Sequence, residues 1–160
     1  MSLIMNLDDY LLNTEGRDWA RLLSTWSWLL NRPFTVQLGN RFGDLFITWQ
    51  DGSVHLLDVG SGVLEKVAPS VGEFDARLRE PGRAEQWFLT PLVDALKSAG
   101  QVPGPDQCYS YRMLPVFGGE YVPENVVIRD LSEHYAAFGP IHERIKDLPD
   151  GTPVTFRIDG

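Results

Sequence analysis

A single cysteine, Cys108, stands in the 160-residue chain, so neither an intramolecular disulfide nor a cysteine-based metal cluster can form. One thiol also suits a reducing compartment. No apolar run approaches the roughly 18 residues of a membrane-spanning helix. The N-terminal stretch MSLIMNLDDYLLN carries Asp8 and Asp9 where a secretory signal would carry basic residues. These absences lead us to expect a cytoplasmic protein. Basic charge is also scarce, with 14 Lys and Arg against 22 Asp and Glu and a net charge of −8. A field of that sign repels phosphate backbones and anionic lipid, which excludes nucleic acid and membrane as favoured partners. It suits a basic protein partner, although solubility alone is the simpler account of it.

Catalytic and cofactor motifs are missing too. There is no GxGxxG after a strand, no GxxxxGK[ST] cradle, no GxSxG elbow and no HExxH pair. We therefore expect no cofactor, no metal and no enzymatic activity.

Bulky apolar residues are present in quantity. Five tryptophans and eight phenylalanines within a 43% hydrophobic chain can build one sizeable core, so residues 1–160 are expected to form a single domain. Trp19, Leu22, Leu23, Trp26, Leu29 and Leu30 recur at helical spacing, predicting a helix over 17–30 that ends at Asn31-Arg32-Pro33. With a shorter helix near Leu7–Leu12 it makes a helical N-terminal segment over about 5–31. A β-meander follows through 34–38, 45–50, 53–57 and 63–67. Asp51-Gly52 predicts a type I′ hairpin turn, and Gly60-Ser61-Gly62 a second reversal. Ser70 and Glu73 make a capping box for a helix over 71–79. Thr90-Pro91 reads as N-cap and N1 of a helix to Ala99. Strands are expected over 108–114, 125–131 and 153–158, with a short last helix starting at Gly139-Pro140. The fold class is α+β: a mostly antiparallel twisted sheet of five to seven strands, covered on one face by several helices.

The candidate chemistry is thin. Asp44, Asp51 and Asp58 recur every seven residues, as a cation site might require, but each adjoins a turn where Asp is favoured for its own hydrogen bonding. His55, His134 and His142 lack the close spacing of a zinc site, and Gly139-Pro140 interrupts the interval between the last two. Cys108, on an expected strand, suits a small apolar residue better than a nucleophile. The segment Tyr109–Asn125, YSYRMLPVFGGEYVPEN, concentrates bends and aromatic rings. A carboxylate at Glu120 could line a cleft with Tyr109, Tyr111 and His134, and that is the candidate small-molecule or enzymatic site.

An ordered series of motifs runs through Phe42-Gly43-Asp44, Asp51-Gly52, Cys108-Tyr109, Pro115, Gly118-Gly119-Glu120-Tyr121, Glu124-Asn125, Gly139-Pro140 and Asp150-Gly151. It resembles a bacterial domain family, long described only as a domain of unknown function, named for the C-terminal part of a type VI secretion immunity protein. The similarity covers about residues 35–155. It implies a non-enzymatic protein that binds and blocks a toxin or effector, a DNase in the named case, and it carries no catalytic residues. A cleft-bearing enzyme or binding domain and an interaction scaffold with another partner are the alternatives.

Overall fold

The computed structural model describes residues 7–154, and its architecture is α+β. A 3-10 turn at Leu7–Tyr10 leads to α1 (Trp19–Leu22) and a second 3-10 turn at Ser24–Trp26. Four strands follow: β1 (Phe34–Gly39), β2 (Leu45–Trp49), β3 (Val54–Asp58) and β4 (Val63–Ala68). Next come α2 (Val71–Leu78), α3 (Arg83–Phe88) and α4 (Thr90–Ser98). β5 (Gln107–Tyr111) and β6 (Val126–Asp130) flank a long connection, and α5 (Leu131–Ile145) is the last helix among the described residues. Strands β1 to β4 form one antiparallel sheet in sequence order, and β5 pairs antiparallel with β6 in a second. Of the closing strand expected over 153–158, Pro153 and Val154 are not in a strand, and the remainder lies outside the described residues.

β2 explains the layering. Its LFITW run is buried at every position, because a central strand covered on both faces has no polar side. Leu45, Ile47 and Trp49 enter the larger core with Leu57, Leu92, Val93 and Leu96. Phe46, pointing the other way, meets Phe74, Trp87 and Phe88, with ring centroids 4.9, 5.0 and 5.9 Å away. The helical cover is thus divided between the two faces. α2 and α3 close the Phe46 side, while α4, α5, the β5–β6 pair and the N-terminal segment close the other.

Several local details depart from expectation for identifiable reasons. The stripe over 17–30 does face inward, with Leu23, Trp26 and Leu30 buried, but it is not one helix. Leu23 leaves the helical region at φ −103° and ψ 19°, and a 3-10 turn continues the stripe. Periods of 3.0 and 3.6 place apolar residues alike over so short a span. The Asp51-Gly52 turn is not type I′, since only Gly52 has positive φ, at 86°. Gly52 N–H bonds to Trp49 O at 3.0 Å and Trp49 N–H to Ser53 O at 3.2 Å, a three-residue loop with a left-handed glycine. Ser70 caps α2 as expected, accepting from Glu73 N–H at 3.1 Å. Thr90, by contrast, is the buried first residue of α4, and its cap is Leu89 in the left-handed region at φ 52°.

The largest departure is at Gly139-Pro140, which lies inside α5 rather than starting a helix. Proline removes the N–H that Ala136 O would accept. One residue earlier, Tyr135 O receives two side-chain donors from the 3-10 turn, Thr25 Oγ1 at 3.1 Å and Trp26 Nε1 at 3.0 Å. Gly139 allows that approach, since a Cβ there would sit 2.5 Å from Thr25 Oγ1 and 2.6 Å from Thr25 O. The turn and the helix lie backbone to backbone.

Candidate functional site

The turn between β1 and β2 is organised by Asn40. Its Oδ1 accepts from Phe42 N–H at 2.9 Å and Asp44 N–H at 3.1 Å. Its Nδ2 donates to Asp44 Oδ2 at 2.9 Å and to Trp87 O at 3.0 Å. The turn is thereby tied to α3. Phe42 is buried against the rings of Tyr109 and Tyr111, with centroids 5.2 and 5.7 Å away. Gly43, at φ 78°, lies where a side chain would meet the His134 ring at 3.0 Å, and its carbonyl accepts from Tyr135 OH at 2.6 Å. Asp51 serves its own turn, accepting from both Ser53 N–H and Ser53 Oγ, and those bonds hold its carboxyl below the usual range.

Asp44 is buried, and Val59 N–H donates to its Oδ1 at 2.9 Å. These donors are neutral amides. Burial first, and the neighbouring Asp58 carboxylate second, push its pKa up to about 8. The other side of Val59 is also held: His142 Nε2 donates to Val59 O at 2.7 Å. Burial lowers the pKa of His142, disfavouring its charged form. His134 is lowered further, to about 3, again chiefly by burial.

These shifts have opposite consequences for stability. The raised Asp44 stabilises the fold fully below pH ~4, and that contribution is lost as pH rises through about 8. The lowered histidines stabilise above pH ~6.5, and for His134 that contribution is lost as pH falls through about 3. We expect Asp44→Asn to remove the first limb: the wild-type-minus-variant stability difference should fall by up to about 1.4 kcal/mol per pH unit between pH ~4 and 8. Urea unfolding at successive pH values checks this, and a difference that stays flat would mean that Asp44 titrates normally.

The candidate cleft residues are distributed as follows. Tyr109 is buried and its hydroxyl donates to Gln101 O at 2.5 Å. Tyr111 is buried with its hydroxyl unpartnered, edge-on to Tyr121 with centroids 6.0 Å apart. His134 faces Ser110 Oγ across 2.9 Å, and Arg129 Nη1 donates to the same oxygen at 2.8 Å and to Tyr111 O at 2.9 Å. Glu120 is exposed on the connection between β5 and β6. The structure therefore brings the two tyrosines together through Phe42 and sets His134 behind them through Ser110, with Glu120 outside. The Ser110–His134 pair has the spacing of a nucleophile and base. Both side chains are wholly buried, which closes the pair to solvent, and nothing in the sequence marks Ser110 for that place.

The connection itself is a built object. Asn125 Oδ1 accepts from Met113 N–H at 2.9 Å, and its Nδ2 donates to Met113 O at 2.9 Å and Glu120 O at 3.0 Å. Gly118 turns the chain at φ 94°, and Gly119 lies so close to Met113 that a Cβ would fall 1.9 Å from its carbonyl oxygen. Pro115 rests on Gly60, and Val116 N–H donates to Gly60 O at 3.2 Å. Asp150-Gly151 forms a further turn, with Gly151 at φ 82°.

Elsewhere, a groove of about 440 Å³ lies between the N-terminal segment and α5, lined by Arg17, Arg21, Thr25 and Ser132 among others. Arg17 is engaged there with Asp106 at 3.0 Å. Among the described residues, no three His, Cys, Asp or Glu side chains converge as metal ligands, and no helix is long and apolar enough to cross a membrane.

Fold and site thus define an α+β protein whose motif residues make turns, caps and close backbone contacts. Residues 68–142 match the family model described as T6SS immunity protein Tdi1, C-terminal. The resemblance carried by the motifs is borne out over that span, from the last residue of β4 into α5. Pro115, Gly118, Gly119, Glu120 and Tyr121 fall inside it, Phe42-Gly43-Asp44 and Asp51-Gly52 before it, and Asp150-Gly151 after it. No curated protein matches the chain.

Proposed function

We propose that this chain is an immunity-type binding protein that blocks a toxin or effector by occupying it, without chemistry of its own, in the cytoplasm. The observation that carries the proposal is the match of residues 68–142 to an immunity-protein family. The net charge of −8 supports a basic partner, because complementary charge speeds encounter and suppresses wrong partners. Burial of Tyr109, Tyr111 and His134 in the core favours this reading over a catalytic cleft.

Toxin and immunity genes have to travel together, so the product of the neighbouring open reading frame is the partner to try. Coexpression should rescue a host which that product alone arrests, and the two purified proteins should form a complex at sub-micromolar concentration. Unrelieved growth arrest, with no complex at micromolar concentration, would overturn the proposal.

A further inference from the structure

We infer that the partner docks on the β5–β6 connection, which carries exposed Met113, Val116 and Tyr121 together with exposed Glu120 and Glu124 and has Asp58 near Tyr121, and that it presents a basic surface carrying an apolar contact. This rests on the binding reading above and assigns it a face.

Composition is the first support. Met113, Val116 and Tyr121 are 53, 42 and 44% exposed, three large apolar side chains within nine residues. Met and Tyr are among the residue types enriched in interfaces, and Tyr among those that dominate binding energy. A fourth exposed apolar residue, Val63, ends the β3–β4 turn on which this connection rests through Pro115 and Gly60.

Rigidity is the second. Exposed loops with apolar residues usually move, and ordering them on binding weakens affinity. Here Asn125 draws Met113 and Glu120 onto one amide, Gly119 N–H bonds to Leu114 O at 3.1 Å, and Val116 N–H bonds to Gly60 O. The patch is held in shape before any partner arrives.

Charge is the third, and it selects the occupant. Within Tyr109–Asn125 the acids are Glu120 and Glu124, and the single cation is Arg112. Arg112 is turned back into the loop, its Nε donating to Glu124 O at 3.2 Å. Asp58 adds a half-buried carboxylate, close enough to Tyr121 that it helps burial raise the phenol's pKa. Exposed apolar side chains interspersed with acids on one connection fit a cationic protein surface.

The test uses the complex with the neighbouring gene product. Tyr121→Ala and Met113→Ala should each weaken binding tenfold or more. Glu120→Gln with Glu124→Gln should slow association and flatten its salt dependence. Val71→Ala, at an exposed apolar position on α2 beyond the other face of the sheet, should stay within twofold of wild type. Thermal melts establish that the variants are folded. Wild-type affinity in both Tyr121→Ala and Met113→Ala would overturn the assigned face and leave the binding reading intact. Failure of the wild-type chain to bind would overturn both. A change of oligomeric state in Tyr121→Ala, with partner binding unaltered, would give the face to a second copy of this chain and overturn the assignment.

Discussion

Gly119→Ala is expected to destabilise the protein by about 3 kcal/mol or more, while Gly118→Ala, one residue away, costs only about 1–2 kcal/mol. The two glycines are adjacent and look equivalent in the sequence, yet they solve different problems. Gly118 adopts φ 94° with nothing within 4 Å of where a Cβ would stand. Its substitution carries only the strain of a left-handed L-residue. Gly119 faces the Met113 peptide, with its virtual Cβ 1.9 Å from the carbonyl oxygen and 2.7 Å from the carbonyl carbon. Asn125 Nδ2 is a further 2.9 Å neighbour. No rotamer change relieves a clash between backbones, so the connection must open and give up the Asn125 bonds to Met113 and Glu120. Urea unfolding of both variants measures the contrast. Equal and small losses would mean that the connection is not closed as described.

That pair also marks the limit of what can be read from sequence. Gly118-Gly119 is legible as a bend, and its surrounding motifs as a family signature, but which glycine meets a peptide depends on Met113 being brought back by Asn125. The meander and α2 were legible for local reasons: short apolar runs, an Asp-Gly turn and a Ser cap all act within a few residues. The misread elements depend on distant partners. Gly139-Pro140 suggests a helix start until Thr25 and Trp26, more than a hundred residues earlier, are seen to occupy Tyr135 O. Asn40 bonds to the carbonyl of Trp87, 47 positions on, and His142 to that of Val59, 83 positions back. Polar residues that fasten one element to another carry no local pattern, and here they are the ones that shape the site. Tyr109 and Tyr111 could be assigned to one face of a strand, but not to the inward one. The exposure of Tyr121 is likewise a tertiary outcome.

Trp26→Ala should cost about 3–5 kcal/mol, the range for deleting a wholly buried large aromatic side chain. Trp26 stacks on Trp28, with centroids 6.0 Å apart, and meets the His142 ring at 5.5 Å. Truncation opens a cavity between the N-terminal segment and α5 and also removes one donor from Tyr135 O. Trp26→Phe helps to separate the two effects, since it leaves an aromatic ring in the site while losing the indole N–H and part of the ring system. Thr25 Oγ1 still bonds to that carbonyl, so Trp26→Phe should lose about 1 kcal/mol for the hydrogen bond and about 1–2 kcal/mol for the ring atoms removed, less in total than Trp26→Ala. Guanidinium unfolding followed by far-UV circular dichroism compares the two without relying on the tryptophan that was removed. If both variants lose the same several kcal/mol, the indole hydrogen bond is what holds the 3-10 turn to a proline-containing helix. If only the alanine variant does, ring packing holds it, and Pro140 is tolerated because the turn is pressed against α5 whether or not Tyr135 O keeps its second donor.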